Sequence, residues 1–120
     1  MYISESDKAE IRKVIEQQLQ AFRQDDFVTA FNFASPSIQE QFQSAAEFQR
    51  MVKQNYDAVY RPRSVMFWEL TMVDNFPAQN LVLMNSEGNV IRAVYVMQQQ
   101  KDYGWRIHGC FLTPIDNTVK

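Results

Sequence analysis

The only histidine and the only cysteine of the chain, His108 and Cys110, stand two residues apart in WRIHGC. A thiol beside an imidazole can be a nucleophile with its base, and either side chain can hold a metal. On an extended strand, residues i and i+2 have Cβ atoms about 6.5–7 Å apart, so a thiolate–imidazole bond needs both side chains to lean together. A nucleophilic cysteine also needs a lowered pKa, a group that orients the histidine and a cleft poor in water. A structural zinc site needs four ligands, and this pair supplies two. The pair is read as non-catalytic: a partly buried histidine and a small apolar cysteine at an interface, with no metal site and no cofactor.

One alternative gives the histidine a role. On alternating strands, one face collects Glu69, Arg92, Arg106 and His108. If that face turned inward, His108 with Glu69 could abstract a proton while Arg106 stabilised the developing anion, the chemistry of a cofactor-independent isomerase or dehydratase. Tyr60-Arg61-Pro62-Arg63 is a second candidate, because Arg61 and Arg63 could clamp a carboxylate or phosphate. The simpler reading is a stiff helix-to-strand connection whose arginines pair with the acidic helical half. Asp25-Asp26 sits at a helix break, where Asp25 is expected as a cap rather than as half of a carboxylate pair. Three glycines could hardly build a phosphate-binding loop.

The elements that position these residues divide the chain in two. Residues 4 to about 57 read helical. Ile11, Val14, Ile15, Leu19 and Phe22 form one apolar stripe behind the capping side chains of Ser4-Glu5-Ser6-Asp7. Ser35-Pro36 starts another helix, and Ser44-Ala45-Ala46-Glu47 has the spacing of a capping box. Residues 63 to 112 read as four strands. Asn75-Phe76-Pro77-Ala78, Ser86-Glu87-Gly88-Asn89 and Lys101-Asp102 are expected as the loops between them. Helices first and an antiparallel meander second make a single α+β domain over residues 1–120, with helices on one face of the sheet.

Strict alternation puts Met66, Trp68, Leu70 and Met72 on the core face of the first strand. Ile91, Ala93, Tyr95 and Met97 take that face in the third strand, and Trp105, Ile107, Gly109 and Phe111 in the fourth. Arg106, His108, Cys110 and Leu112 are then expected on the outer face. That face also carries Val65, Phe67, Val73, Val94 and Val96, enough apolar surface to predict a homodimer through it.

Composition excludes several classes. Hydrophobic residues are 46% of the 120, which indicates a folded domain. A formal net charge of −2 argues against a general nucleic-acid binder. No apolar run is long enough to span a bilayer, MYISESDKAE does not read as a signal peptide, and a lone cysteine forms no internal disulfide. A soluble, cytoplasmic protein is expected.

AFRQDDFVTAFNFASPSIQEQF, then VYRP, then GWRI in the last strand, resembles a family of uncharacterised small domains in the cystatin-like, nuclear-transport-factor-2-like superfamily. The resemblance implies a curved four-stranded sheet wrapped around the long N-terminal helix as a cone. Such cones often hold a ligand pocket, and their outer sheet face often forms a dimer. Some members are isomerases or dehydratases and many are non-catalytic, so the fold does not select a function. The expected role is a non-catalytic binding or assembly domain with a small apolar pocket lined by Trp68, Tyr95 and Trp105.

Overall fold

A computed structural model describes residues 2–101 and 104–115. Five helices precede four strands: α1 (Glu5–Arg23), α2 (Phe27–Asn32), α3 (Pro36–Phe42), α4 (Ala45–Asn55), α5 (Asp57–Tyr60), then β1 (Ser64–Val73), β2 (Phe76–Met84), β3 (Val90–Gln100) and β4 (Gly104–Pro114). The strands form an open antiparallel sheet in the order β1-β2-β3-β4. This is the α+β domain expected.

Helices α1 to α4 each begin where a side chain meets their free N–H groups, and only the single turn of α5 has no side-chain cap. Ser4 and Asp7 form a reciprocal capping box on α1, and Ser35 caps α3 with Pro36 in the first turn. Asp26, not Asp25, caps α2, through Thr29 N at 3.2 Å. Asp25 instead takes a positive φ in the turn and binds Tyr60 and Arg61. Ser44 caps α4, but Glu47 pairs with Arg50 rather than completing a box.

The first hairpin turn is tighter than expected. Val73 pairs with Phe76 across Asp74 and Asn75, both at positive φ, as in a two-residue type I′ turn. Phe76 to Ala78 therefore belongs to β2 and is not loop. Pro77 is tolerated because the β2–β3 ladder starts at Ala78, so the position requires no N–H toward β3. Of the third expected turn, Asp102 lies outside the described residues.

The faces of β1 and β4 depart from strict alternation because each strand contains a register shift. In β1 it falls between Phe67 and Leu70. Val65 and Phe67 consequently pack on the helical core, and the Arg12 guanidinium covers the Phe67 ring at 4.4 Å. Met66 and Trp68 are 64% and 57% exposed, which corrects the expectation that they are core. The extra residue frees carbonyls, and two amides from β2 receive them: Gln79 Nε2 donates to Trp68 O at 2.9 Å and Asn80 Nδ2 to Glu69 O at 3.1 Å. These are the buried polar residues of an otherwise apolar strand.

The second shift leaves His108 without a partner between Ile107, opposite Met97, and Gly109, opposite Val96. Trp105 and Ile107 face the core as expected. Beyond the shift, Cys110 and Leu112 join the core and Phe111 turns outward, 58% exposed, which reverses the expectation for all three.

The main core joins the stripe of α1 to Leu81, Leu83, Ala93, Tyr95, Met97 and Trp105. A second, smaller apolar cluster on the opposite side of the sheet gathers Ala78, Val94 and Val96 with Val73 and Phe76. Trp105 is anchored to the first turns of α1: its Nε1 donates to Asp7 at 3.2 Å and its backbone N to Glu10 at 3.1 Å. Gly104 turns the chain there at φ +73, where a Cβ would collide with the Glu10 carboxylate.

Candidate functional site

Between the helices and the β3–β4 half of the sheet lies an open cavity of about 470 Å³. Its wall includes Gln18 and Phe22 of α1, Phe48, Met51 and Val52 of α4, Tyr56, and Tyr95, Ile107 and Cys110 of the sheet. No lining residue is charged. The helices contribute apolar positions of their stripes, and the β4 shift brings Cys110 to this side.

Three polar groups meet at the sheet wall. The Tyr56 hydroxyl donates to Cys110 O at 3.0 Å. The Tyr95 hydroxyl is buried and has no hydrogen-bond partner. The Cys110 thiol is its polar neighbour and, after burial, adds to the upward shift of the phenol. Burial pushes the thiol up to about 12, so it is neutral and a poor nucleophile at neutral pH. Burial likewise holds the Tyr95 phenol well above its ordinary value, and raises Tyr56 with a smaller contribution from Cys110. The environment disfavours negative charge.

His108 is not a wall of this cavity. Its ring packs against Phe76, centroids 5.2 Å apart, beside the second apolar cluster. Its Nδ1 lies 2.9 Å from Ser35 Oγ and 3.4 Å from Ser37 Oγ. The backbone explains the contact. Residues 33–35 run along the free edge of β4, with Ile107 N donating to Phe33 O and Ser35 N to Ile107 O, both at 2.8 Å. A serine beside a histidine has the form of a catalytic dyad, yet Ser35 is fully buried and its oxygen also accepts from Ile38 N. No carboxylate among the described residues binds the ring. The arrangement fastens the start of α3 to β4.

The other candidates are dispersed. Glu69 is exposed on β1, three strands from His108 on β4, a separation of roughly 14 Å at ordinary strand spacing. The structure does not bring these two together. Arg61 pairs with Asp25 at 2.6 Å and lies over the Tyr60 ring at 5.0 Å. Arg63 reaches instead toward Gly88 in the β2–β3 turn, so the two arginines do not converge. Of the three residues expected to line a pocket, Tyr95 lines the cavity, Trp105 is buried against the start of α1, and Trp68 faces away from the helices.

The model of a domain-of-unknown-function family, DUF4864, matches residues 4–118. The chain belongs to that family. No curated protein and no solved structure matches it. Membership in DUF4864 names no activity, so the chemistry of the cavity is the guide to function. Among the described residues, no group of three or more histidine, cysteine or acidic side chains could hold a metal ion, and no helix is long and apolar enough to cross a membrane.

Sequence reasoning missed the helical half of this site. Tyr56 gave a weak signal, a large amphipathic residue at the break between α4 and α5. The Ser35–His108 contact joins residues 73 apart in sequence, and nothing local announces it.

Proposed function

We propose that this is a non-catalytic binding domain whose helix–sheet cavity takes a small, neutral, mainly apolar molecule. One observation carries the reading: the cavity wall holds aromatic and aliphatic side chains with a few neutral polar groups and no charge. The thiol at its wall is held protonated, and neither histidine nor carboxylate reaches it, so the groups needed for acid–base or nucleophilic catalysis are not assembled there. The test is titration with N-phenyl-1-naphthylamine, a neutral apolar fluorophore. Enhanced, saturable emission is expected, and Met51→Trp, which fills the cavity from α4, should abolish it. Wild-type protein that leaves the dye dark would defeat the reading.

The outer sheet face supports a second proposal, a homodimer. The exposed Met66, Trp68 and Phe111 lie on the sheet face that carries Ala78, Val94 and Val96, the side the helices leave bare. Apolar surface of this kind in a soluble domain favours burial against a partner, and a second copy gives closed twofold symmetry.

A further inference from the structure

The Tyr95 hydroxyl is the one buried side-chain polar atom among the described residues that has no hydrogen-bond partner. Tyr95 as a whole is 1% exposed, yet it is a wall of the cavity. A phenylalanine would fill the same space without leaving a donor unsatisfied, so an unpaired hydroxyl at this position needs a reason. No polar group of the cavity wall meets it in hydrogen-bonding geometry. The Tyr56 hydroxyl already donates to Cys110 O, Gln18 Nε2 donates to Ala30 O at 3.1 Å, and a protonated thiol is a poor acceptor. We propose that the bound molecule carries a neutral carbonyl-type oxygen that accepts a hydrogen bond from Tyr95.

Neutrality follows from the surroundings. No cation lines the cavity to balance a carboxylate or phosphate, and buried surroundings penalise an unpaired charge. A ketone, aldehyde, ester or amide oxygen satisfies the phenol without bringing a charge. The hydroxyl is covered by its neighbours. The incoming oxygen reaches it by turning the Cys110 side chain, a single-torsion movement of a small group. The ligand class is thus an apolar body with one carbonyl at the end that meets the sheet.

This inference rests on the cavity being a ligand site, and two probes separate the two ideas. N-phenyl-1-naphthylamine is neutral and has no carbonyl. Prodan (6-propionyl-2-dimethylaminonaphthalene) is neutral and of similar size, and has a ketone. Both should bind wild-type protein. In Tyr95→Phe the affinity for prodan should fall about tenfold while that for the amine stays within twofold. The infrared carbonyl stretch of bound prodan should lie lower in wild type than in Tyr95→Phe, the signature of an accepted hydrogen bond. Unchanged amine binding also shows that the variant is folded. Equal prodan affinity and carbonyl frequency in the two proteins would overturn the inference and leave the cavity reading intact. Binding of the amine without prodan would do the same. Failure of both probes to bind wild type would overturn both.

Discussion

Replacing Tyr95 with Phe should stabilise the protein, the opposite of the usual effect of trimming a fully buried aromatic residue. The substitution removes one oxygen and keeps the ring, which sits in the core with Leu81, Ala93 and Met97. The oxygen is buried and unpaired, and such a hydroxyl costs about 1–3 kcal/mol. The void left by one oxygen returns part of that, so a net gain of about 1–2 kcal/mol is expected. For a chain of 120 residues the unfolding entropy is about 0.25 kcal/mol/K, which turns the gain into a rise in Tm of about 4–8 °C. Calorimetry and urea unfolding of ligand-free protein measure it. Tyr56→Phe is the control, because that hydroxyl donates at 3.0 Å to Cys110 O and its loss should cost about 1 kcal/mol. Opposite signs for the two tyrosines are the expected result. A Tyr95→Phe midpoint equal to or below wild type would refute the reasoning, since it would mean that the hydroxyl is already satisfied in the native protein.

Trp105→Ala removes a side chain that is 1% exposed and should cost about 3–5 kcal/mol, read as a large fall in the urea midpoint. Trp105→Phe leaves most of the packing but removes a hydrogen bond that, after the larger contribution from Ser4, holds the Asp7 carboxyl below its usual range. A carboxyl depressed in the folded state stabilises above its unfolded pKa and loses that contribution as pH falls through the folded value. Urea midpoints of Trp105→Phe should therefore fall less steeply than wild type below about pH 4. Cys110, raised to about 12 by burial, should react slowly with iodoacetamide in the native protein at pH 8 and faster once urea unfolds it; rapid labelling of native protein below neutral pH would make it a reactive site. Light scattering coupled to size exclusion should give about twice the chain mass at micromolar concentration, and Trp68→Lys on the outer face should return the monomer without lowering stability; a monomeric wild type would end the dimer proposal.

Element types and the fold class were legible because their signals are local. Caps, the α1 stripe and the strand order need no knowledge of distant contacts, and β3, which runs without an internal shift opposite β2, has the faces that alternation predicts. Alternation failed where a strand gains a residue, because one extra residue moves every later side chain to the other face. Both failures left marks in the sequence that propensity does not weigh. Gln79-Asn80 interrupts an apolar central strand, and two amides buried there imply backbone groups nearby that lack ladder partners. Gly109 interrupts β4 beside its shift, a frequent position for glycine in a bulged strand.

The same reasoning explains what became of WRIHGC. The shift between Ile107 and Gly109 sends the two reactive side chains to different environments. His108 meets Ser35 and Phe76, outside the cavity, and Cys110 enters the cavity wall beside Tyr95. Two residues that share a face on a regular strand are thereby separated by the bulge, and the pair cannot act as nucleophile and base. Moving Cys110 inward places a small, neutral, easily rotated side chain next to the unpaired phenol. A larger residue there would fill that end of the cavity, and a charged one would be buried without a partner. The irregularity that dismantles the apparent catalytic pair also shapes the part of the cavity where a ligand oxygen can meet Tyr95.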